Sequence, residues 1–511
     1  MKLRQFGAVL AAASIVLAAC GDDDDDDASG TATASATEAP ATTAASESTE
    51  APATTAAASE STEAPATTAA ASESTEAPGT TAAAESSEES SGSASSTQPA
   101  GGQMMIKPGE CGMNTGEAAT GDPIKLGGLA TNVPGIDFTW IPKMAGIYFD
   151  CVNANGGIYG HPIEYSYEDV APDPAVLTAA ATKLVEEDQV LGIVGNTEIL
   201  ECDVNGQYYA DHGYHPIIAG VAPGCFLSDQ WSAVNMGPYY SNLGAAQAVV
   251  RAGAANKLVV VSPDQPGMDF NNSSVEDVAN VNGLEFEGIL EAVPIADPAG
   301  LAQRAVQAAG EGGGVVLNFT GPTVLPLLEA ISQQGLVDSV IWGSSTPPND
   351  PSVAAALADC CGSDWDGKFL INAEFNVLDS GLPDNDNMLK IHEEAGADFP
   401  ISAFSQMGYL VGKTTTEALL RMGEGAEYTV ESVNEAIYGL TDMESDMWCK
   451  PWYYSSGIQS DQFPNGANVS NNTDRTVTPQ GGVMVQAEDC FDILATDNNP
   501  LQLIRDAEAA M

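Results

Sequence analysis

The stretch TWIPKMAGIYFDCVNANGGIYGHPIEYSYEDV, residues 139–170, carries the change of periodicity that decides the fold. Trp140, Met144, Ile147, Tyr148, Cys151 and Val152 fall at the three- and four-residue spacing of a helix with one buried face. Gly156 and Gly157 stop that helix, and HPIEYSYEDV continues as a strand. Upstream, PIKLGGLATN (123–132) reads as a buried strand, so the segment is strand, helix, strand. The rhythm then repeats. In DPAVLTAAATKLVEED (173–188) Asp173 can cap a helix and Pro174 suits its first turn. Strand VLGIVGN (190–196), a helix from Cys202 to His212 and strand PIIAGV (216–221) follow.

A second run starts after NMGPYY (235–240), with a helix expected from Ser241. Strands KLVVVSP (257–263), LEFEGILEAV (284–293), GVVLNFT (314–320) and VIWGSS (340–345) alternate with helices, among them 297–310 and 323–335. Alternation at this spacing means βαβ units, parallel sheets and right-handed crossovers. The body, about 105–511, exceeds the ~250–300 residues at which single cores stop growing. An α/β protein of two doubly wound lobes is expected.

Charge narrows the partners. The 511 residues include 16 Lys+Arg and 71 Asp+Glu, a net charge of -55. Such a surface opposes nucleic acid and anionic lipid, which require basic patches. Residues 28–103 are mostly Ala, Thr, Ser, Glu and Pro, with a thirteen-residue repeat, STEAPATTAAASE at 48–60 and again at 61–73. Such a segment cannot bury a core and reads as a disordered linker, 20–104. Before it, Lys2 and Arg4 precede an apolar run from Phe6 to Leu17, the layout of a signal peptide over 1–19. Leu17-Ala18-Ala19-Cys20 resembles a bacterial lipobox, which implies that Cys20 carries the lipid anchor and that the body works outside the membrane.

With Cys20 lipidated, eight cysteines remain for disulfides, which persist in exported proteins. The pairs expected are Cys111 with Cys151 and Cys202 with Cys225. Cys449 and Cys490 are also assigned to disulfides, and the connectivity of Cys360 and Cys361 is open. No C-x-x-C occurs and the chain has four histidines, so no metal site is expected. His212 and His215 flank a helix end entering a strand. No G-x-S-x-G elbow, P-loop or H-E-x-x-H is present, and GEGGGV (310–315) precedes a strand, the wrong order for a dinucleotide loop. The reading is a binder without cofactor.

Over 123–495 the chain resembles the type I periplasmic binding proteins, in the branched-chain amino-acid branch of ABC-transporter lipoproteins. FDCVNANGGIYGHPIEY, DPAVLTAAATKLVEEDQVLGIVGN, HPIIAG and PISAFSQMGYLVGKTTTEALLRMG carry the resemblance. It implies three crossings between lobes, near 240, 375 and 435, so that lobe one is 123–240 plus 376–435 and lobe two is 241–375 plus 436–495. It further implies a monomer that closes around a small-molecule solute and hands it to an ABC permease. A ligand-sensing receptor on the same fold, and a hydrolase, are the competing readings.

The resemblance also locates a cleft. Asn196, Thr197 and Glu198 match the loop where the family sets a Ser or Thr against the ligand's carboxylate. Gly220, Val221 and Ala222 match a segment that binds through backbone groups, and Asn132, Asp137 and Trp140 stand on the first loop. Lobe two offers Gln265, Met268, Asn318, Thr320, Ser344 and Ser345. There are departures: Pro266-Gly267 stands where many relatives carry Tyr-Gly, and GSSTPPND lacks the acid that holds a ligand ammonium. Glu198 or Asp264 is left for that role.

Overall fold

The computed structural model describes residues 104–133, 136–226, 230–265, 268–440, 443–449, 452 and 473–493. All belong to one unit, Ser91–Met511. The signal peptide, Cys20, the linker to residue 103 and Pro266-Gly267 lie outside the described residues.

β1 (Ile124–Val133) is buried without a break from Leu126 to Thr131, as a strand covered on both faces must be. β2 (Ile136–Asp137) folds back antiparallel on its end. α1 (Trp140–Ala154) then lays Ile141, Met144, Tyr148, Phe149 and Val152 into the core. β3 (Ile163–Val170) runs parallel to β1 in continuous register from Ile124↔Ile163 to Thr131↔Val170. α2 (Pro174–Thr182) starts at Asp173, whose carboxylate accepts from the N–H groups of Ala175 and Val176, and one π-helical turn extends it. β4 (Gly192–Asn196), α3 (Glu201–Asp211), β5 (Ile217–Ile218) and β6 (Ser232–Ala233) complete a first sheet in which β1 lies between β3 and β4. β5 is shorter than PIIAGV suggested: Ala219 makes a last bond to the Asn196 carbonyl of β4, and Gly220 bonds the Asn235 side chain instead of a strand.

α4 (Gly237–Arg251) begins before the expected Ser241. Pro238 fits its first turn, and Tyr239 and Tyr240 are already buried in it. The second sheet takes β7 (Lys257–Pro263), β8 (Glu285–Glu291), β9 (Gly314–Leu317), β10 (Ile341–Ser344), β11 (Phe369–Ala373), β12 (Thr473–Gln480) and β13 (Val483–Asp492). Their order is β13-β12-β11-β10-β9-β7-β8, parallel from β8 to β11. α5 (Phe270–Asn282), α6 (Pro298–Ala309), α7 (Gly321–Gln333) and α8 (Pro351–Cys361) connect these strands. The β12–β13 edge is an antiparallel hairpin that the alternating pattern did not announce.

After β11 the chain returns to the first sheet's side with α9 (Pro383–Glu394), α10 (Ala403–Arg421) and α11 (Val430–Tyr438), and Met443, Met447 and Trp452 pack in the same cluster. α10 is buried along nearly its whole length against α1. Gly408 and Gly412 allow the approach: an added Cβ would lie 2.3 Å from the Ile141 carbonyl oxygen and 2.7 Å from Tyr148 Cβ. Disulfides join Cys111 to Cys151 and Cys202 to Cys225, as paired above, and Cys449 to Cys490. Cys360 and Cys361 are joined to each other. No helix among the described residues is long and apolar enough to cross a membrane.

Candidate functional site

The polar residues of interest sit where parallel strands end, the place at which such sheets leave loops and helix starts to meet a ligand. On the first sheet the end of β4 is knitted to β1 and α3. Asn196 accepts from the Leu129 N–H at 2.9 Å and donates to Glu201 at 2.8 Å. The Thr197 N–H bonds the Leu129 carbonyl at 2.9 Å, and its hydroxyl reaches the Phe138 carbonyl at 3.5 Å. Glu198 is 1% exposed. One of its oxygens accepts from the Leu200 N–H at 2.6 Å and the other from the Thr131 hydroxyl at 3.3 Å. The Ile199 N–H goes to Thr131 Oγ1 at 3.3 Å. The N–H groups of Thr197, Ile199 and Leu200, just ahead of α3, are thus taken by the chain's own oxygens.

Two carboxyls meet there. Burial pushes Glu201 up to about 7, against the pull of its bonds from Tyr209, Asn205 and Asn196. Burial also raises Glu198, and the N–H groups of Leu200, Ile199 and Glu201 with the Thr131 hydroxyl draw it back. Glu201 was not singled out in the sequence; an acid one helical turn before Asn205 and two before Tyr209 was its readable signal.

The other first-sheet candidates divide. Gly220 spends both backbone groups on the Asn235 amide, at 2.8 Å each, while Val221 and Ala222 are half-buried. Asn132 is exposed and turned to Asp169 at 3.0 Å. Asp137 accepts from the N–H and hydroxyl of Thr139 and so orders the entry to α1. Trp140 stacks edge-on against Phe404 of α10, a packing role.

On the second sheet Gln265 and Thr320 are exposed and Met268 is half-buried. Thr320 faces Thr323 at the start of α7. Ser344 is interior, donating to the Leu317 carbonyl at 2.7 Å, and Ser345 is buried. Asn318 differs from all of these. It is 8% exposed at the end of β9, and neither its oxygen nor its nitrogen has a partner. Ser262, near the end of the adjacent β7, also holds an unpartnered buried hydroxyl.

Where the two sheets meet, Glu374 at the end of β11 accepts from the Met236 N–H at 2.6 Å and from the Thr346 hydroxyl at 3.4 Å. Burial pushes this carboxyl up to about 7, partly offset by those two bonds. The sequence reading missed it, although an acid closing the apolar strand FLINA was visible. Every loop after a parallel strand, from 133–139 behind β1 to 374–382 behind β11, lacks Lys and Arg, while Asp137, Glu198, Asp264, Asp350 and Glu374 stand in them. No cluster of His, Cys, Asp or Glu among the described residues could hold a metal ion. A depression lined by His212, His215, Gln230, Asn434 and Tyr438 opens before β5, at the opposite end of the first sheet. There burial lowers His215 to about 4, so the ring is neutral and bonds Ser232.

A profile of the periplasmic binding protein family matches residues 144–487. The chain belongs to that family. It is a family of substrate-binding, non-catalytic proteins. Solved structures of this periplasmic binding protein's fold include a branched-chain amino acid ABC transporter protein from Thermus thermophilus with bound valine, 16% identical, covering 76% of this chain and 99% of that one, TM-score 0.60. A fatty acid ABC transporter substrate-binding protein from Thermomonospora curvata is 16% identical over 74% of this chain and 94% of its own, TM-score 0.59. A solute-binding protein from R. palustris in complex with 4-hydroxybenzoate is 18% identical over 73% and 97%, TM-score 0.57. No curated protein matches the sequence.

Proposed function

We propose that this chain is an extracytoplasmic solute-binding protein, anchored through Cys20, that delivers a small polar solute to an ABC permease. The family supports binding rather than turnover, and the solved neighbours named as ABC-transporter proteins support the permease as partner. The observation that carries the reading is Asn318: a buried amide with no partner at the C-terminal end of a parallel strand is costly unless a ligand completes it. The two sheets close on the solute like a hinge, with Glu374 and Met236 at the seam.

A thermal-shift screen of the full chain against amino acids, amides, urea and amines tests this. A ligand at a hundred times its Kd stabilises the native state by about 2.7 kcal/mol. Asn318→Ala should weaken that ligand with little loss of intrinsic stability, since no protein bond is removed. Unchanged affinity in Asn318→Ala would remove the assigned site.

A further inference from the structure

We propose that the solute carries no carboxylate and is a neutral amide-like or a cationic amine-like molecule. This rests on the solute-binding reading above and narrows it. An organic anion entering a cleft of this kind needs a cationic side chain or a set of free N–H groups. The loops behind the parallel strands provide no Lys or Arg. Three N–H groups ahead of α3 are occupied: Thr197 bonds the Leu129 carbonyl, Ile199 bonds Thr131, and Leu200 bonds the Glu198 carboxylate at 2.6 Å. The chain has placed its own acid, Glu198, on the Leu200 N–H, and that acid is shielded from water. A second carboxylate brought beside it meets a like charge and finds these three donors taken.

What the second sheet offers is complementary to a different chemistry. Asn318 presents one acceptor and one donor, both buried and both unpaired. A primary amide or a urea-type group can satisfy that pair; an ammonium serves the oxygen alone, whereas a carboxylate can accept from the nitrogen but leaves the oxygen unpaired and repelled. Valine and 4-hydroxybenzoate, bound in the two solved relatives, each bear a carboxylate.

Matched sets of short aliphatic and aromatic acids, their primary amides and the corresponding amines decide the matter, titrated calorimetrically into the full chain. A member of the amide or amine series should bind, and its acid should bind at least about tenfold more weakly. Glu198→Ala vacates the Leu200 N–H, so the same acid should gain about tenfold on the variant. If that variant does not fold, Glu198→Gln keeps an acceptor on Leu200 without the charge, and the acid-to-amide ratio should move in the same direction. An acid that binds the wild-type chain as tightly as its amide overturns the inference and leaves the solute-binding reading standing. No binding by any member overturns both.

Discussion

Gly244 shows how much a single residue decides. An added Cβ would lie 2.0 Å from Asn372 Oδ1 and 2.1 Å from Asp474 Oδ2, so both oxygens crowd one point above its Cα. Both are buried and without a partner. The Asn372 nitrogen already donates to Thr346 Oγ1 at 2.9 Å, and Asp474 Oδ1 already accepts from the Arg475 N–H at 2.8 Å. One proton resolves the conflict. Burial, with the nearby Glu374 charge adding to it, holds the Asp474 carboxyl well above its ordinary range, and a protonated Oδ2 supplies the donor that Asn372 lacks. Asp474→Asn, which carries that donor permanently, should stay within about 1 kcal/mol of wild type in urea denaturation. Asp474→Ala should lose about 1–3 kcal/mol for each group left unsatisfied. Equal loss in both variants would refute the protonated pair. Gly244→Ala should destabilise by about 1–3 kcal/mol or more through overpacking, read as a lower urea midpoint.

At the scale of elements, legibility followed periodicity. α1, α2 and the strands β1, β4, β7 and β9 announce themselves by apolar spacing, and they fold where that spacing put them. β12 does not, because TDRTVTPQ is polar to the eye yet buried from Asp474 to Thr478. Arg475 donates to the Met447 and Trp448 carbonyls, while the Thr476 and Thr478 hydroxyls are buried without a partner, and no local pattern encodes either. The site shows the same split. The loop positions were readable, whereas the internal spending of Asn196, Thr197 and Gly220 on neighbouring groups was not. Another such pairing fixes α9 and α10. Lys413 and Asp384 form an ion pair at 2.6 Å, buried on both sides, and Asp384 also accepts from the Gly109 N–H and Ser445. Burial pushes that carboxyl up, but the Lys413 ammonium and the hydrogen bonds outweigh it and hold it below its usual range. Lys413→Met leaves the acid buried and uncompensated, and should cost about 3–5 kcal/mol. The segment that includes Gly109 should then show faster amide hydrogen exchange than in the wild type. A variant as stable as wild type would mean that the pair contributes nothing net.

For the whole molecule, two independent effects make stability depend on pH, and salt separates them. The first is repulsion: a net charge of -55 disfavours the compact state, and acid relieves it. The second is burial. Glu201 and Glu374 rise from 4.5 to about 7 in the fold. A raised folded value means that the folded state holds the proton more tightly. Their contribution is therefore complete below about 4.5 and is lost as pH climbs through about 7. In that window each group contributes about 1.4 kcal/mol per pH unit. Asp384 has the opposite sign, lowered from 3.8, so its contribution disappears on acidification below that value and sets the lower limit. Surface repulsion is screened within about 3 Å at 1 M salt, whereas groups in the interior are screened much less. Thermal unfolding should therefore show a melting temperature that falls from pH 5 to pH 8 in dilute buffer, and falls less steeply, but still falls, in 1 M salt. Glu201→Gln and Glu374→Gln, combined, should reduce what remains at high salt to the share of the buried Asp474, without altering the salt-sensitive part. A wild-type slope that vanishes in 1 M salt would mean that the two buried carboxyls are not the groups that titrate.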